Sequence, residues 1–202
     1  PEDWISIGYK DTPTAGSWGD GFRGTFDGEG HTITLDNYQR SPVFGVLGFG
    51  GTVTNVKIRG EHVYNISAPL VTSSHGEISD VEISGEFYRC AGGVALEAYS
   101  GVISRCTVKS GSVIDGDGAV GGILALSRSN GHGDGPVSID HCVIEQGVLI
   151  SARDGDDIVQ SLGGIVAYGN GTIEWCENGA DLTANYSGSS GLAGGIAGTV
   201  NS

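Results

Sequence analysis

Two short acidic runs carry the densest hard-oxygen chemistry in the chain: Asp-Gly-Asp-Gly at 115–118 and Asp-Gly-Asp-Asp at 154–157. Carboxylates clustered among turn-forming glycines are what Ca²⁺ takes, so Asp115, Asp117, Asp154, Asp156 and Asp157 are candidate calcium ligands. Neither run matches the longer Asp-rich loop with its distal Glu, and Asp-Gly pairs are also ordinary turn residues. A second constellation is Arg105, His141 and Trp175, which recur at one position of a repeated motif and would form an outward binding stripe, or simply a row of solvated side chains. His132 and Asp134 add a candidate binding loop at 129–135. Catalysis of the glycosidase or lyase kind needs converging carboxylates or an acid with a basic partner. The apolar Gly-Gly segments supply only Glu97 nearby.

These residues are placed by a repeat. Gly-Thr-Val-Thr-Asn-Val-Lys-Ile at 51–58 recurs as Gly-Glu-Ile-Ser-Asp-Val-Glu-Ile at 76–83 and Gly-Val-Ile-Ser-Arg-Cys-Thr-Val at 101–108. Later copies sit at 139–144 and 173–178, with polar inserts around 127–135 and 153–160 lengthening those two periods. A second motif precedes each copy: Gly-Val-Leu-Gly at 45–48, Gly-Val-Ala-Leu at 93–96, Gly-Ile-Leu-Ala at 122–125, Gly-Ile-Val-Ala at 164–167 and Gly-Ile-Ala-Gly at 195–198. The acidic runs precede their Gly-Gly segments at similar offsets, which predicts that they meet on one edge.

No stretch carries the 3.6-residue period of an amphipathic helix. The spacing Ile-x-x-Val/Cys-x-Ile/Val is not strict alternation either, and predicts a corner or bulge inside the motif. It places Asn55, Asp80, Arg105, His141 and Trp175 outward in one row, and Lys57, Glu82, Thr107, Val143 and Glu177 in another. Opposite charges at Lys57/Glu82 and Asp80/Arg105 suit cross-strand pairing. Cys106, Cys142 and Cys176 take the inward position held by Val56 and Val81. An inert thiol stack follows, with a disulfide disfavoured by parallel side chains and zinc by the lack of a fourth ligand. A unit of this size cannot bury its own apolar face, whereas stacked units can. The expected fold is all-β: a parallel β-helix, or β-solenoid, with coils of about 25 residues and two longer coils carrying loop inserts. Residues 1–21 would be a cap or lead-in and 22–202 the stacked coils of a single domain belonging to a larger protein.

Composition agrees. There are 35 Ile and Val against 10 Leu and no Met, and β-branched side chains favour a pleated surface. The 37 glycines fall largely at recurring corner positions, where the backbone must turn. A formal charge of −14 repels nucleic acid and anionic membranes and favours cations or basic protein surfaces. No apolar run approaches the roughly 20 residues that cross a bilayer.

The opening Trp-Ile-Ser-Ile-Gly at 4–8 and Phe-Arg-Gly-Thr-Phe-Asp-Gly-Glu-Gly-His-Thr-Ile at 22–33, followed by Gly-hydrophobic repeats, resembles bacterial surface proteins with GLUG-type repeats. It is also similar to the β-helical region of IgA-peptidase-like proteins and Gram-positive adhesins. The usual Gly-Leu-Phe-Gly form is replaced here by Val-Phe-Gly-Val-Leu-Gly at 43–48. The resemblance implies a right-handed β-helix and an extracellular place, on the bacterial cell surface or secreted. It supplies no activity, and no His-Glu-x-x-His motif occurs. The expected role is non-enzymatic: a spacer, or a monomeric segment binding a glycan or a host protein such as an immunoglobulin or matrix protein, without a cofactor other than calcium. The competing expectation is a carbohydrate-active β-helix enzyme or its substrate-binding segment.

Overall fold

The structure, a computed structural model, describes residues 5–8, 21–36, 41–128, 135–155, 160–187 and 191–200. Among these there is no helix, and the strands form sheets of thirteen, six and three members. Every strand pair among the described residues is parallel. Parallel strands need long connections between partners, and the sequence period supplies them.

Register follows the repeat. In the largest sheet Val53 pairs with Ile78, Ile78 with Ile103, Ile103 with Ile139 and Ile139 with Ile173. Partners are separated by 25 residues in the early repeats, and the long periods return to the same rows. Strand Val113–Asp117 pairs with Leu149–Arg153, and Ala119–Gly121 with Ser161–Gly163. The offset therefore widens only across 154–160, so Arg153 belongs to the ladder and not to the insert. Likewise the Arg128 N–H donates to the Ala98 carbonyl at 2.8 Å, which keeps Arg128 in register before its insert.

The rows Val53/Ile78/Ile103/Ile139 and Ile58/Ile83/Val108/Ile144 are buried in one continuous cluster. Each such side chain contributes roughly 1.5–3 kcal/mol of transfer free energy. The irregular apolar spacing has a simple cause. Asn55, Asp80, Arg105, His141 and Trp175 lie at φ 54°, 55°, 51°, 50° and 52°, in the left-handed region. One left-handed residue between two pleated segments resets the inward phase, so Val56, Val81, Cys106 and Cys142 point back into the core. The glycine row before the motif is required by close approach: a Cβ on Gly76 would lie 2.2 Å from the Gly51 carbonyl oxygen, and one on Gly101 (φ 90°) 2.1 Å from that of Gly76.

Candidate binding surface

The left-handed corners form one row along the largest sheet, and all five of its side chains are exposed. Asn55 Nδ2 donates to Asp27 Oδ1 at 3.2 Å. Arg105 donates from Nε and Nη2 to the two carboxylate oxygens of Asp80 at 2.8 and 2.7 Å. That fork-to-fork contact is the strong geometry for a guanidinium and a carboxylate. The hydrogen bond from Arg105 holds the Asp80 carboxyl below its ordinary value, and Asp80 in turn raises Arg105. Further along the row His141 Nδ1 lies 2.7 Å from Asp140 Oδ1. The His141 and Trp175 rings are stacked with centroids 6.2 Å apart and an interplanar angle of 25°. Trp175 is 77% exposed, so one indole face is available to solvent. The three residues expected as a stripe share one row, with Arg105 already engaged by Asp80 and the His141–Trp175 pair open.

Beside the row runs a groove of about 180 Å³ lined by Asn55, Lys57, Asp80, Glu82, Arg105 and Thr107. That is below the roughly 300–1,000 Å³ of pockets that enclose small ligands. A chain of groups lying along the surface fits it better than an enclosed molecule.

The acidic runs do approach one another: an added Cβ on Gly155 would lie 2.7 Å from the Gly118 nitrogen and 3.0 Å from the Asp117 carbonyl carbon. Their carboxylates, however, face a resident cation. Arg153 Nε lies 2.6 Å from Asp117 Oδ1 and Nη1 3.1 Å from Asp115 Oδ1. Asp154 accepts two contacts from the Ser187 N–H, at 3.1 and 2.9 Å. Asp156 and Asp157 lie outside the described residues, as do His132 and Asp134. Among the described residues no group of three or more His, Cys, Asp or Glu side chains is arranged to hold a metal ion.

All four cysteines are free. Cys106, Cys142 and Cys176 continue the Val56/Val81 row, and the Cys142 N–H donates to Cys176 Sγ at 3.4 Å. Burial pushes the Cys90 thiol up to about 12. The contact with Cys106 raises Cys142 to about 12, and that with Cys142 raises Cys176. The thiolate is the nucleophile, so thiols shifted this way are poor ones.

Two aromatic rows escape the sequence reading. Phe49, His75 and Tyr99 form one row: the His75 and Tyr99 rings stack with centroids 5.0 Å apart, and Phe49 is tilted against His75 at 4.8 Å. Tyr64 and Tyr88 stack at 4.8 Å and 18°. The second had a visible signal, the dipeptides Val63-Tyr64 and Phe87-Tyr88 at nearly one period. Next to Tyr99, Glu97 accepts from Tyr99 Oη at 2.8 Å and Arg128 Nε at 2.7 Å. Among the described residues two carboxyls, Asp80 and Glu145, are shifted from their ordinary values, and both are held low by basic partners, Arg105 and Lys109. No family model, curated protein or solved structure matches the chain.

Proposed function

We propose that the three parallel sheets are the faces of a right-handed β-solenoid, and that it serves as a non-enzymatic extracellular scaffold binding a glycan along its left-handed corner row. The constant register of the parallel rows supports the stacking, and the strong preference of parallel crossovers for one hand supports the handedness. The bacterial surface or secreted location rests on the GLUG-type resemblance of residues 22–33.

The observation that carries the binding role is the His141–Trp175 pair. Asn and Asp enter the left-handed region readily, but Arg and Trp do so at a cost of roughly 1–2 kcal/mol each. Strain held at exposed positions points to use of the side chains. An open indole face beside an imidazole, with Asp140 and Glu174 on the neighbouring row, offers an apolar platform for a sugar ring and acceptors for its hydroxyls. The enzymatic alternative needs a carboxyl raised towards neutrality as general acid, whereas Asp80 and Glu145 are both shifted downward. Calcium at Asp115 and Asp117 would have to displace the Arg153 guanidinium.

A glycan array, followed by titration of the hit against the protein and its Trp175→Ala and His141→Ala variants, tests the proposal. Binding lost in both variants with unchanged thermal unfolding supports it. Binding that survives both substitutions, or no glycan bound at millimolar concentration, overturns it.

A further inference from the structure

We infer that the outer face of the largest sheet around the Tyr64–Tyr88 pair docks an extended basic peptide, with a lysine against the two rings and an apolar side chain on Leu149. This face lies at the opposite end of strands Thr52–Tyr64 and Glu77–Tyr88 from the corner residues Asn55 and Asp80. Tyr64, Tyr88, Asp115 and Ser151 form one row, and Glu86, Val113 and Leu149 the row beside it. Phe87, Ile114 and Ile150 between the two rows are buried, so alternation turns both rows outward. Strands Glu77–Tyr88, Val113–Asp117 and Leu149–Arg153 are each paired on both edges. Their outward side chains are therefore exposed whatever stands at either end of the stack.

The patch is apolar at its centre and acidic around it. Tyr64 is 44% and Leu149 49% exposed, with Tyr88 and Val113 half-buried beside them. The register shift between Gly60 and Val63 is what brings Tyr64 opposite Tyr88, as a bulge that re-aims side chains does. The basic groups here are already engaged, Arg153 by Asp115 and Asp117 and Arg89 by Asn65. Glu86 accepts from Tyr88 Oη at 3.0 Å and lies 2.5 Å from His62 Nδ1, both through Oε2, which leaves Oε1 for a further donor. Burial raises the Tyr88 phenol above its ordinary value, and the hydrogen bond and charge of Glu86 and the charge of Asp115 raise it further, as a negative local field does.

A lysine meets both features at once. Its stem covers the rings, where a cation gains from the ring quadrupole, and its ammonium reaches Glu86. The formal charge of −14 steers such a partner in and repels a second copy of this chain. Glu86 and Leu149 stand two ladder steps apart, roughly 10 Å at the spacing of neighbouring strands. A polyproline II helix puts side chains three residues apart on one face, about 9 Å from each other. A labelled peptide Lys-Pro-Pro-Leu-Pro-Pro-Lys-Pro-Pro-Leu matches that spacing and is the probe.

Fluorescence anisotropy measures its binding to the whole chain. Acetylating both lysines keeps stem and length but removes the charge, and should weaken binding about tenfold, as should Glu86→Gln, since each loses a hydrogen bond between charged groups. Tyr64→Ala and Leu149→Ser should each weaken it with unchanged thermal unfolding, whereas Tyr64→Phe, which keeps the ring, should retain it. Glu77→Gln removes the same charge from an exposed position at the far end of the strand and should change nothing, as should Trp175→Ala. Equal weakening by Glu86→Gln and Glu77→Gln would reduce the interaction to overall charge and overturns the inference. Equal binding of the plain and acetylated peptides, loss on Trp175→Ala, or no binding at about 1 mM overturns it as well.

Discussion

Two successive repeats place Ile and Cys at the same inward rows and differ in how far those side chains are covered. Ile139 and Cys142 are buried, while their partners Ile173 and Cys176 are half-open; Val143 pairs with Glu177 on the outer face of both. Local sequence does not decide burial here. Each repeat is covered by the next, so stability is close to a sum over neighbouring interfaces. The last repeat also differs in one inward residue: Asn178 stands where Ile144 stands behind it, and its Nδ2 donates to the Gly195 carbonyl at 2.8 Å. A polar side chain is tolerated at that row because its hydrogen bond is made.

The largest effect should come from truncating a covered residue. Ile103→Ala is expected to destabilise by about 2–5 kcal/mol, the range for fully buried aliphatic truncations. Ile173→Ala, in the same row, should lose less than about half of that because its side chain keeps part of its contact with water. Urea unfolding of the two variants checks the difference. Equal losses would mean that the last repeat is covered in solution.

Thiol chemistry sharpens the same contrast kinetically. Cys176 should react first with an alkylating reagent in the native protein, since it alone is partly exposed. Cys90, Cys106 and Cys142 should react only in denaturant, where four thiols are counted without reduction. Mass spectrometry of timed quenches reads the order, and early modification of Cys142 would contradict the stacked row.

Much of this was legible beforehand because it repeats. The period, the inward cysteine row and the outward row of Asn55, Asp80, Arg105, His141 and Trp175 follow from comparing copies. The irregular spacing announced the corner, though not that five non-glycine residues adopt a left-handed backbone there. Three things were not legible. Arg153 looked like part of an insert, so its grip on Asp115 and Asp117 depended on knowing where the ladder resumes. The Phe49–His75–Tyr99 row is spaced unevenly and carries three different residue types. The exposure of the last repeat belongs to what stacks on it, which no local pattern encodes.

Within the corner row, Asp80 gives a pH-dependent test. Its carboxyl is lowered from an ordinary 3.8 in the folded state, so the contribution is present above that value and is lost as pH falls through the lower, folded one. The stability difference between the protein and Asp80→Asn should therefore be constant near neutrality and shrink below about pH 4. Because both partners are well exposed, the difference should be small and should fall with salt. A difference that grows on acidification would contradict the pairing with Arg105.

The smallest expected effect concerns the corner backbone itself. Glycine occupies the left-handed region freely but loses more backbone entropy on folding, so Trp175→Gly should return the roughly 1–2 kcal/mol of strain less that entropy, a net stabilisation of about 1 kcal/mol. Asn55→Gly, starting from a residue already suited to that backbone, should change little. Trp175 packs on His141 but is otherwise open, so little burial is lost with the indole. If Trp175→Gly instead destabilises by more than about 1 kcal/mol, the indole is structural and its exposure has no bearing on recognition. If it stabilises and removes glycan binding together, the tryptophan is held against its backbone preference for the sake of what it touches.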